Sequence, residues 1–228
     1  MTAQLVKLQA SPDLVDQVYR ALLDAISDGS LAPGERVTQE DLAERLAVSR
    51  QPVLQALRLL KKDSLLLDAP GRGLLVAPLD PESIGWAYEV RGALDALAAR
   101  LAAQRRAVID PRLVEQGRRA ARGRNIKAMI DADIAFHNAI AAASGNPLIA
   151  QSTQLHWVHL RRVMGAVLQS SPQRGAIWDE HAAIAAAIAA GDARRATALV
   201  ELHGRRASET LRERLSNVLQ PALKGRSP

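Results

Sequence analysis

The chain contains no cysteine, which excludes disulfide bonds and thiolate metal sites and fits a reducing cytoplasm. Long apolar runs are also lacking, because Arg, Asp or Glu interrupts every stretch that approaches the roughly 18 residues a membrane-spanning helix needs. The N-terminus has no basic start followed by an apolar stretch and a cleavage site, so we expect no export. These absences favour a cytoplasmic protein without a membrane partner.

Acidic and basic residues are unevenly distributed along the 228 residues. The formal net charge is +6, yet residues 1–79 hold 9 basic against 10 acidic side chains, and residues 80–228 hold 21 against 14. The overall charge is therefore weak support for nucleic-acid binding, since a phosphate backbone responds to local charge. Within the first segment the basic side chains crowd into the second half, at Arg45, Arg50, Arg58, Lys61, Lys62 and Arg72.

Apolar spacing, capping residues and turn residues predict a small unit over residues 13–77, preceded by an N-terminal arm at 1–12. In chain order we expect a helix from Ser11-Pro12-Asp13 to Gly29, a short helix from Thr38 to Arg45, a corner at Ala47-Val48, a helix from Ser49 to about Lys62, and a β-hairpin of residues 65–67 and 74–76. Three helices followed by a hairpin is the order of a winged helix-turn-helix.

After a linker at residues 78–82, marked by Pro78 and Pro81, the chain is predicted to be almost entirely helical. The predicted helices cover 83–106, 111–122, 125–143, 147–168, 174–190 and 192–216, and six helices suit an antiparallel bundle. Residues 217–228 have no apolar pattern and are predicted to be disordered. The predicted fold class is therefore mostly α, with a winged helix-turn-helix and a six-helix antiparallel bundle.

The helix from Ser49 is the candidate for reading DNA, because an α-helix fits the major groove. Its first turns offer Arg50, Gln51 and Gln55, which can donate hydrogen bonds to base edges or phosphates. Further basic side chains follow at Arg58, Lys61 and Lys62, with Arg72 at the hairpin tip. An ordinary solvated helix with surface arginines remains the alternative at this stage.

The order of residues in this unit closely resembles the N-terminal domain of the GntR family of bacterial regulators. The resemblance covers about residues 13–77 and is carried by Leu31-Ala32-Pro33-Gly34-Glu35, the run from Asp41 to Arg50, Pro52-Val53, Ala56-Leu57 and Gly71-Arg72-Gly73. It implies that Arg50 contacts DNA and that Gly73 lets the wing approach the minor groove. With the residues above, the candidate DNA-binding set is Ser49, Arg50, Gln51, Gln55, Arg58, Arg72 and Gly73.

The sequence departs from this family at three positions. Leu54 stands where the family usually carries an arginine that reads a base, Gln55 where it carries glutamate, and Ala47 where it carries glycine. Because Leu54 cannot donate a hydrogen bond, we expect a changed base preference. Gln51 and Gln55 are candidates to compensate by bidentate contact with adenine.

Four residues of the second half are candidate metal ligands. Asp133 and His137 are four residues apart and so share a helix face, while His181 opens the fifth bundle helix and His203 lies within the sixth. One carboxylate and three imidazoles suit a divalent first-row ion such as zinc, nickel or manganese. The alternative is that each histidine is a surface or capping residue.

A second resemblance covers about residues 82–216. It is carried by Asp133-Ile134-Ala135-Phe136-His137, Ser144-Gly145-Asn146-Pro147-Leu148, Glu180-His181, Ala187-Ile188, Gly191-Asp192 and His203, which resemble the FCD effector domain of the FadR branch of the GntR family. The resemblance implies that all four candidate ligands bind metal. The length is closest to the VanR-like subgroup.

Effectors of such domains are usually small carboxylic acids or sugar acids, and a guanidinium group matches a carboxylate bidentately. The candidate effector-binding residues are Arg91, Arg161 and Arg162, whereas Glu180 is expected to face away from the ligands. The sequence thus predicts a homodimeric repressor of a catabolic operon that binds a near-palindromic DNA operator. A metal-dependent hydrolytic or lyase enzyme and a protein-binding helical scaffold are the alternatives.

Overall fold

A computed structural model of the chain describes residues 14–168 and 175–224. The chain divides into two compact units, an N-terminal unit that ends at Pro78 and a C-terminal unit that begins at Leu79; residues Ser27–Gly29 are grouped with the second.

The N-terminal unit consists of helices and a small antiparallel sheet of strand order β1-β3-β2. Its elements are α1 (Leu14–Asp28), β1 (Arg36–Val37), α2 (Gln39–Arg45), α3 (Arg50–Lys62), β2 (Leu66–Asp68) and β3 (Leu74–Val76). The predicted fold class is confirmed, and β1 is an addition that the sequence pattern did not indicate. The predicted helix start at Ser11-Pro12-Asp13 lies outside the described residues.

Local capping fixes the corner between α2 and α3. The Thr38 hydroxyl accepts a hydrogen bond from the backbone N–H of Asp41 at 3.2 Å, as expected for a helix N-cap. Ala47 takes a positive φ of 52° in the corner, and Ser49 occupies the N-cap of α3 without a side-chain capping bond. One face of α3 is buried through Val53, Ala56, Leu57 and Leu60, which leaves the opposite face exposed.

The C-terminal unit contains the six helices that the sequence predicts. They are α4 (Pro81–Gln104), α5 (Pro111–Arg122), α6 (Ile126–Ala143), α7 (Pro147–Val167), α8 (Ala176–Ala190) and α9 (Ala193–Lys224). Five of them begin at a side-chain cap, supplied by Asp80, Asp110, Asn125, Asn146 and Asp192. Because Asp80 caps a helix whose first residue is Pro81, the predicted linker is wrong at residues 81 and 82. In the described ranges, no helix combines the length and apolarity needed to cross a membrane.

Two apolar clusters form the core of the C-terminal unit. The first is rich in alanine and includes Phe136, Trp178 and Ile184, while the second includes Trp157, Leu160 and Leu215. Small side chains such as Ala99, Ala102 and Ala103 are fully buried on α4, which allows neighbouring helices to approach closely. The candidate ligands lie on helices that these clusters hold in place.

The predicted disordered tail is wrong for residues 217–224, because α9 continues to Lys224. The reason is apolar packing one turn beyond the predicted end: Leu215 is buried in the second cluster, and Leu219 packs against the same cluster. Residues 225–228 lie outside the described residues.

Candidate functional site

The polar edge of α3 is open to solvent in the N-terminal unit. Ser49, Arg50, Gln51, Gln55 and Arg58 are all exposed. The Arg50 side chain is 68% exposed and lies 3.4 Å from Glu40, an exposed ion pair that is weak enough to exchange for a phosphate or a base. The Arg50 carbonyl accepts a hydrogen bond from Gln39 at 2.7 Å, so α2 fixes the start of α3. This arrangement presents the first turns of α3 for contact with a groove.

The hairpin places Arg72 at an exposed tip, and Gly73 is constrained by the sheet itself. Gly73 has a φ of +91°, and a Cβ atom there would lie 2.8 Å from the Val37 carbonyl of β1. Both facts require glycine for packing within the sheet. Arg36, on the same strand as Val37, donates a hydrogen bond to the Pro70 carbonyl and holds the tip. This role of Arg36 could not be predicted from the sequence, because a two-residue strand has no recognisable period.

In the C-terminal unit the structure brings together the four candidate metal ligands. Asp133 and His137 lie on α6, His181 on α8 and His203 on α9. All four side chains are buried, and one ligand atom from each lies within 4.8 Å of the others. Ligand atoms around a first-row divalent ion are typically about 3–4 Å apart, so a small contraction would complete the site.

A hydrogen bond on the outer nitrogen of His203 orients its ring in the cluster. Nε2 of His181 lies 3.3 Å from Nε2 of His203 and 3.4 Å from a carboxylate oxygen of Asp133. His203 donates from Nδ1 to Glu180 at 2.8 Å, and Arg206 donates to the other oxygen of Glu180 at 2.7 Å. The prediction that Glu180 faces away is therefore wrong, since one helical turn of α9 brings His203 and Arg206 to this carboxylate.

His137 lies near a second carboxylate, that of Asp95. Its Nδ1 lies 3.6 Å from Asp95, too far for a direct hydrogen bond, and its buried Nε2 has no hydrogen-bond partner among the described residues. Asp95 lies 3.0 Å from Nε of Arg91, whose guanidinium group stacks 3.7 Å from the ring centre of Trp157. Neither Asp95 nor Trp157 carries a sequence signal that links it to the histidines.

Burial sets the protonation of the cluster. Desolvation lowers the pKa of His137 and of His181 well below the usual histidine value, so both rings are neutral near pH 7 and offer lone pairs. Desolvation also raises the pKa of Asp133 and of Asp95. The hydrogen bond from His203 is the main cause that lowers the pKa of Glu180. Neutral imidazoles beside a buried carboxylate are a donor set for a cation.

These observations fit a divalent metal ion. With Nδ1 of His203 bonded to Glu180, its Nε2 faces the cluster, and Nε2 of His137 is a buried nitrogen without a partner among the described residues. A carboxylate on the outer nitrogen of a ligating histidine is the usual second contact in metal sites. An ion at the centre would satisfy both nitrogens.

A cavity of about 390 Å³ opens beside the cluster. Asp133 and His203 belong to both, and Tyr88, Arg91 and Glu180 line the cavity near them. Of the three arginines predicted to bind an effector, only Arg91 is among its lining residues; Arg161 forms an ion pair with Asp131 at 2.6 Å, and Arg162 is buried within α7. Arg206 and Arg214 of α9 also line the cavity and were not predicted.

Comparison with known protein families gives a match for each of the two units. The family profile described as bacterial regulatory proteins, gntR family, matches residues 14–76, and the profile of the FCD domain matches residues 87–206. The chain is 28% identical over 191 residues to an HTH-type transcriptional regulator in an unstable DNA locus of Streptomyces ambofaciens. This alignment covers 82% of this chain and 80% of that protein.

Two further matches agree with these. The chain is 36% identical over 85 residues to the HTH-type transcriptional regulator YdhC of Bacillus subtilis. This alignment covers 37% of this chain and only 38% of that relative. The solved structure of E. coli McbR/YncC aligns with a TM-score of 0.75 over 90% of this chain and 99% of that chain, at 22% identity. At that identity the structural likeness establishes a shared fold.

Proposed function

Because this chain belongs to the gntR family of bacterial regulatory proteins and carries an FCD domain, we propose that it represses a catabolic operon under the control of a small organic acid. The family and the relatives are transcription regulators, so the chain is a DNA-binding regulator rather than an enzyme. We propose the operator contacts, the metal, the effector and the direction of control. Because its proposed target is DNA, the proposal includes a cytoplasmic location.

In the proposal, α3 lies in the major groove. Arg50, Gln51 and Gln55 face base edges, and phosphate contacts come from Ser49, Arg58 and the wing residue Arg72. What supports this is the exposure of all six side chains on one unit, with the opposite face of α3 buried. A homodimer would present two such helices to the two halves of a near-palindromic operator.

The observation that carries the effector half of the proposal is that the cluster and the cavity share Asp133 and His203. The residues that would hold the ion are Asp133, His137, His181 and His203, and zinc, nickel and manganese all accept this donor set. When bound, the ion supplies a Lewis-acidic centre with open positions for a carboxylate oxygen. Arg91 would donate to the same carboxylate with its planar fork.

The effector can act on DNA binding only through different affinities for the DNA-competent and DNA-incompetent states. A repressor requires that the acid bind the incompetent state more tightly. A carboxylate at the cluster can produce this difference in affinity because it adds charge and fills a cavity. The cavity lies in the C-terminal unit, which contains no DNA-reading element.

A thermal-shift series on metal-free and metal-loaded protein tests the proposal. Zinc, nickel or manganese should raise the unfolding temperature by mass action, and a carboxylic acid should raise it further only in metal-loaded protein. His181→Ala should remove both effects, whereas His159→Ala, on α7 and outside the cluster, should keep both. An acid effect of equal size in metal-free protein would contradict the proposed site.

A further inference from the structure

The cavity does not end at the metal cluster but continues along α9. Its lining residues on this helix are His203, Arg206, Ala207, Thr210, Leu211 and Arg214. Their spacing of three, four, seven, eight and eleven residues places them on one face over three turns, a rise of about 16 Å from His203 to Arg214. The cavity is therefore elongated, with the cluster at one end.

The arginines that line the cavity differ in their partners. Arg91 lies against Asp95, and Arg206 is bonded to Glu180. Arg214 is half-buried and forms no ion pair with any residue in the described ranges. A guanidinium group at a cavity wall without a carboxylate partner is available for charge-assisted hydrogen bonds to an anion. Arg214 is thus a cation at the cavity wall whose counter-charge the described chain does not supply.

The wall between the two ends is largely apolar. Met129, Met164, Leu168, Trp178 and Leu211 line the cavity and offer thioether, aliphatic and aromatic surface. Such a wall favours methylene groups over the hydroxyl groups of a sugar acid, because each hydroxyl would lose hydrogen bonds to water without regaining them.

The charges of the lining residues favour more than one negative charge on the ligand. Of the three lining arginines, Arg91 is paired with Asp95 and Arg206 with Glu180, whereas Arg214 has no ion-pair partner in the described ranges. A divalent ion at the cluster would add positive charge at the opposite end from Arg214, so a dianion would complement both ends.

We propose that the cavity takes an elongated dianion, such as a linear dicarboxylate. One carboxylate lies at the cluster beside Arg91, the methylene chain lies against the apolar wall, and the second carboxylate is bound by Arg214. This inference rests on the proposed effector function and makes Arg214 the residue that selects for the second charge.

Binding of two acid series to the full-length, zinc-loaded protein tests it. The probes are the dicarboxylates succinate, adipate, suberate and sebacate, and the monocarboxylates butyrate and octanoate, measured by isothermal titration calorimetry. The longer dicarboxylates should bind more tightly than both succinate and octanoate. Arg214→Ala should weaken their binding about tenfold or more and leave octanoate unchanged, since a charge-assisted hydrogen bond is lost for the dianion alone.

Two control variants separate the outcomes. Arg205→Ala removes an exposed arginine of α9 that is not a cavity-lining residue and should bind every acid like the wild type. Arg214→Lys keeps the charge and should retain part of the preference for dianions. If monocarboxylates bind as well as dicarboxylates, or if Arg214→Ala matches Arg205→Ala, the dianion inference is wrong while the proposed function stands. If no acid of either series binds zinc-loaded protein, both fail.

Discussion

Glu180 accepts the Nδ1 proton of His203 at 2.8 Å, and this bond decides which nitrogen of the ring faces the cluster. An ionised carboxylate can only accept, so Nδ1 carries a proton and Nε2 faces His181. Arg206 holds the other oxygen of Glu180 and keeps the carboxylate in place. Glu180 is therefore a positioning residue of the cluster formed by Asp133, His137, His181 and His203, although it contributes no candidate ligand atom.

The first prediction concerns this positioning. Glu180→Ala should lower zinc affinity about 10- to 100-fold, because the His203 ring loses its fixed tautomer and orientation. Calorimetric titration of metal-free protein measures the change. Glu201→Ala, an exposed carboxylate on α9, is the matched control and should bind zinc like the wild type. Equal affinity of the two variants would contradict the role assigned to Glu180.

The second prediction concerns the exposed edge of α3. Arg50→Ala should lose about 1–3 kcal/mol of binding free energy to the operator, as expected for a residue that reads bases bidentately. Fluorescence anisotropy on a promoter fragment that the wild type binds gives the difference. Arg20→Ala removes a 73% exposed arginine from α1 and should bind normally. An Arg50→Ala protein with unchanged affinity would exclude Arg50 from the interface.

The third prediction concerns the packing of α5 against Trp178. A Cβ atom at Gly117 would lie 2.0 Å from the Trp178 ring, whose centre is 4.6 Å from that of His181. Gly117→Ala should therefore destabilise the protein by about 1–3 kcal/mol through overpacking, and also weaken zinc binding. Gly92→Ala adds a methyl group where nothing lies within 4 Å and should stabilise the protein by about 0.5–1 kcal/mol. Urea unfolding measures the stability of the two variants. Similar stabilities would contradict the packing of Gly117 against Trp178.

The fourth prediction concerns alkaline pH in the N-terminal unit. Desolvation, followed by the 2.7 Å hydrogen bond to Asp63, raises the pKa of Tyr19 from 10.0 to about 12. Because the folded-state pKa is raised, the contribution of this bond is complete below pH 10 and is lost as the pH rises toward 12. Tyr19→Phe should cost about 1 kcal/mol near neutral pH, the net value of such a bond.

Thermal unfolding across pH 8 to 12 checks this, with the difference between wild type and Tyr19→Phe as the quantity of interest. Burial raises the pKa of Tyr88 to about 12 as well, but that contribution is present in both proteins and cancels. A stability difference that stayed constant between pH 8 and 12 would contradict the assignment to Tyr19.

Much of the fold could be predicted from local signals. The helix ends follow from capping residues such as Thr38 and Asn146, and the apolar period of each bundle helix is long enough to be recognised. Strand β1 could not be predicted, since its two residues become a strand only by pairing with β3. The end of α9 was missed because Leu219 acts through packing on other helices rather than through a local pattern.

The grouping of the four candidate ligands could be predicted, but their surroundings could not. Asp133 and His137 share a helix face by their spacing, and the resemblance to FCD domains linked them to His181 and His203. Glu180 and Asp95 reach their histidines across helix pairs, and the angles between those helices are set by the packed core. Arg214 lies eleven residues beyond His203, and only the shape of the cavity connects the two.

The account links two properties, DNA reading by α3 and control by the metal-bound cavity, and one titration tests that link. DNA affinity of zinc-loaded protein is measured with and without the tightest-binding acid, for the wild type and for His203→Ala. The account predicts that the acid weakens DNA binding of the wild type at least fivefold, a typical lower limit for allosteric coupling, and leaves His203→Ala unchanged. An acid that weakens DNA binding of both proteins equally would contradict it.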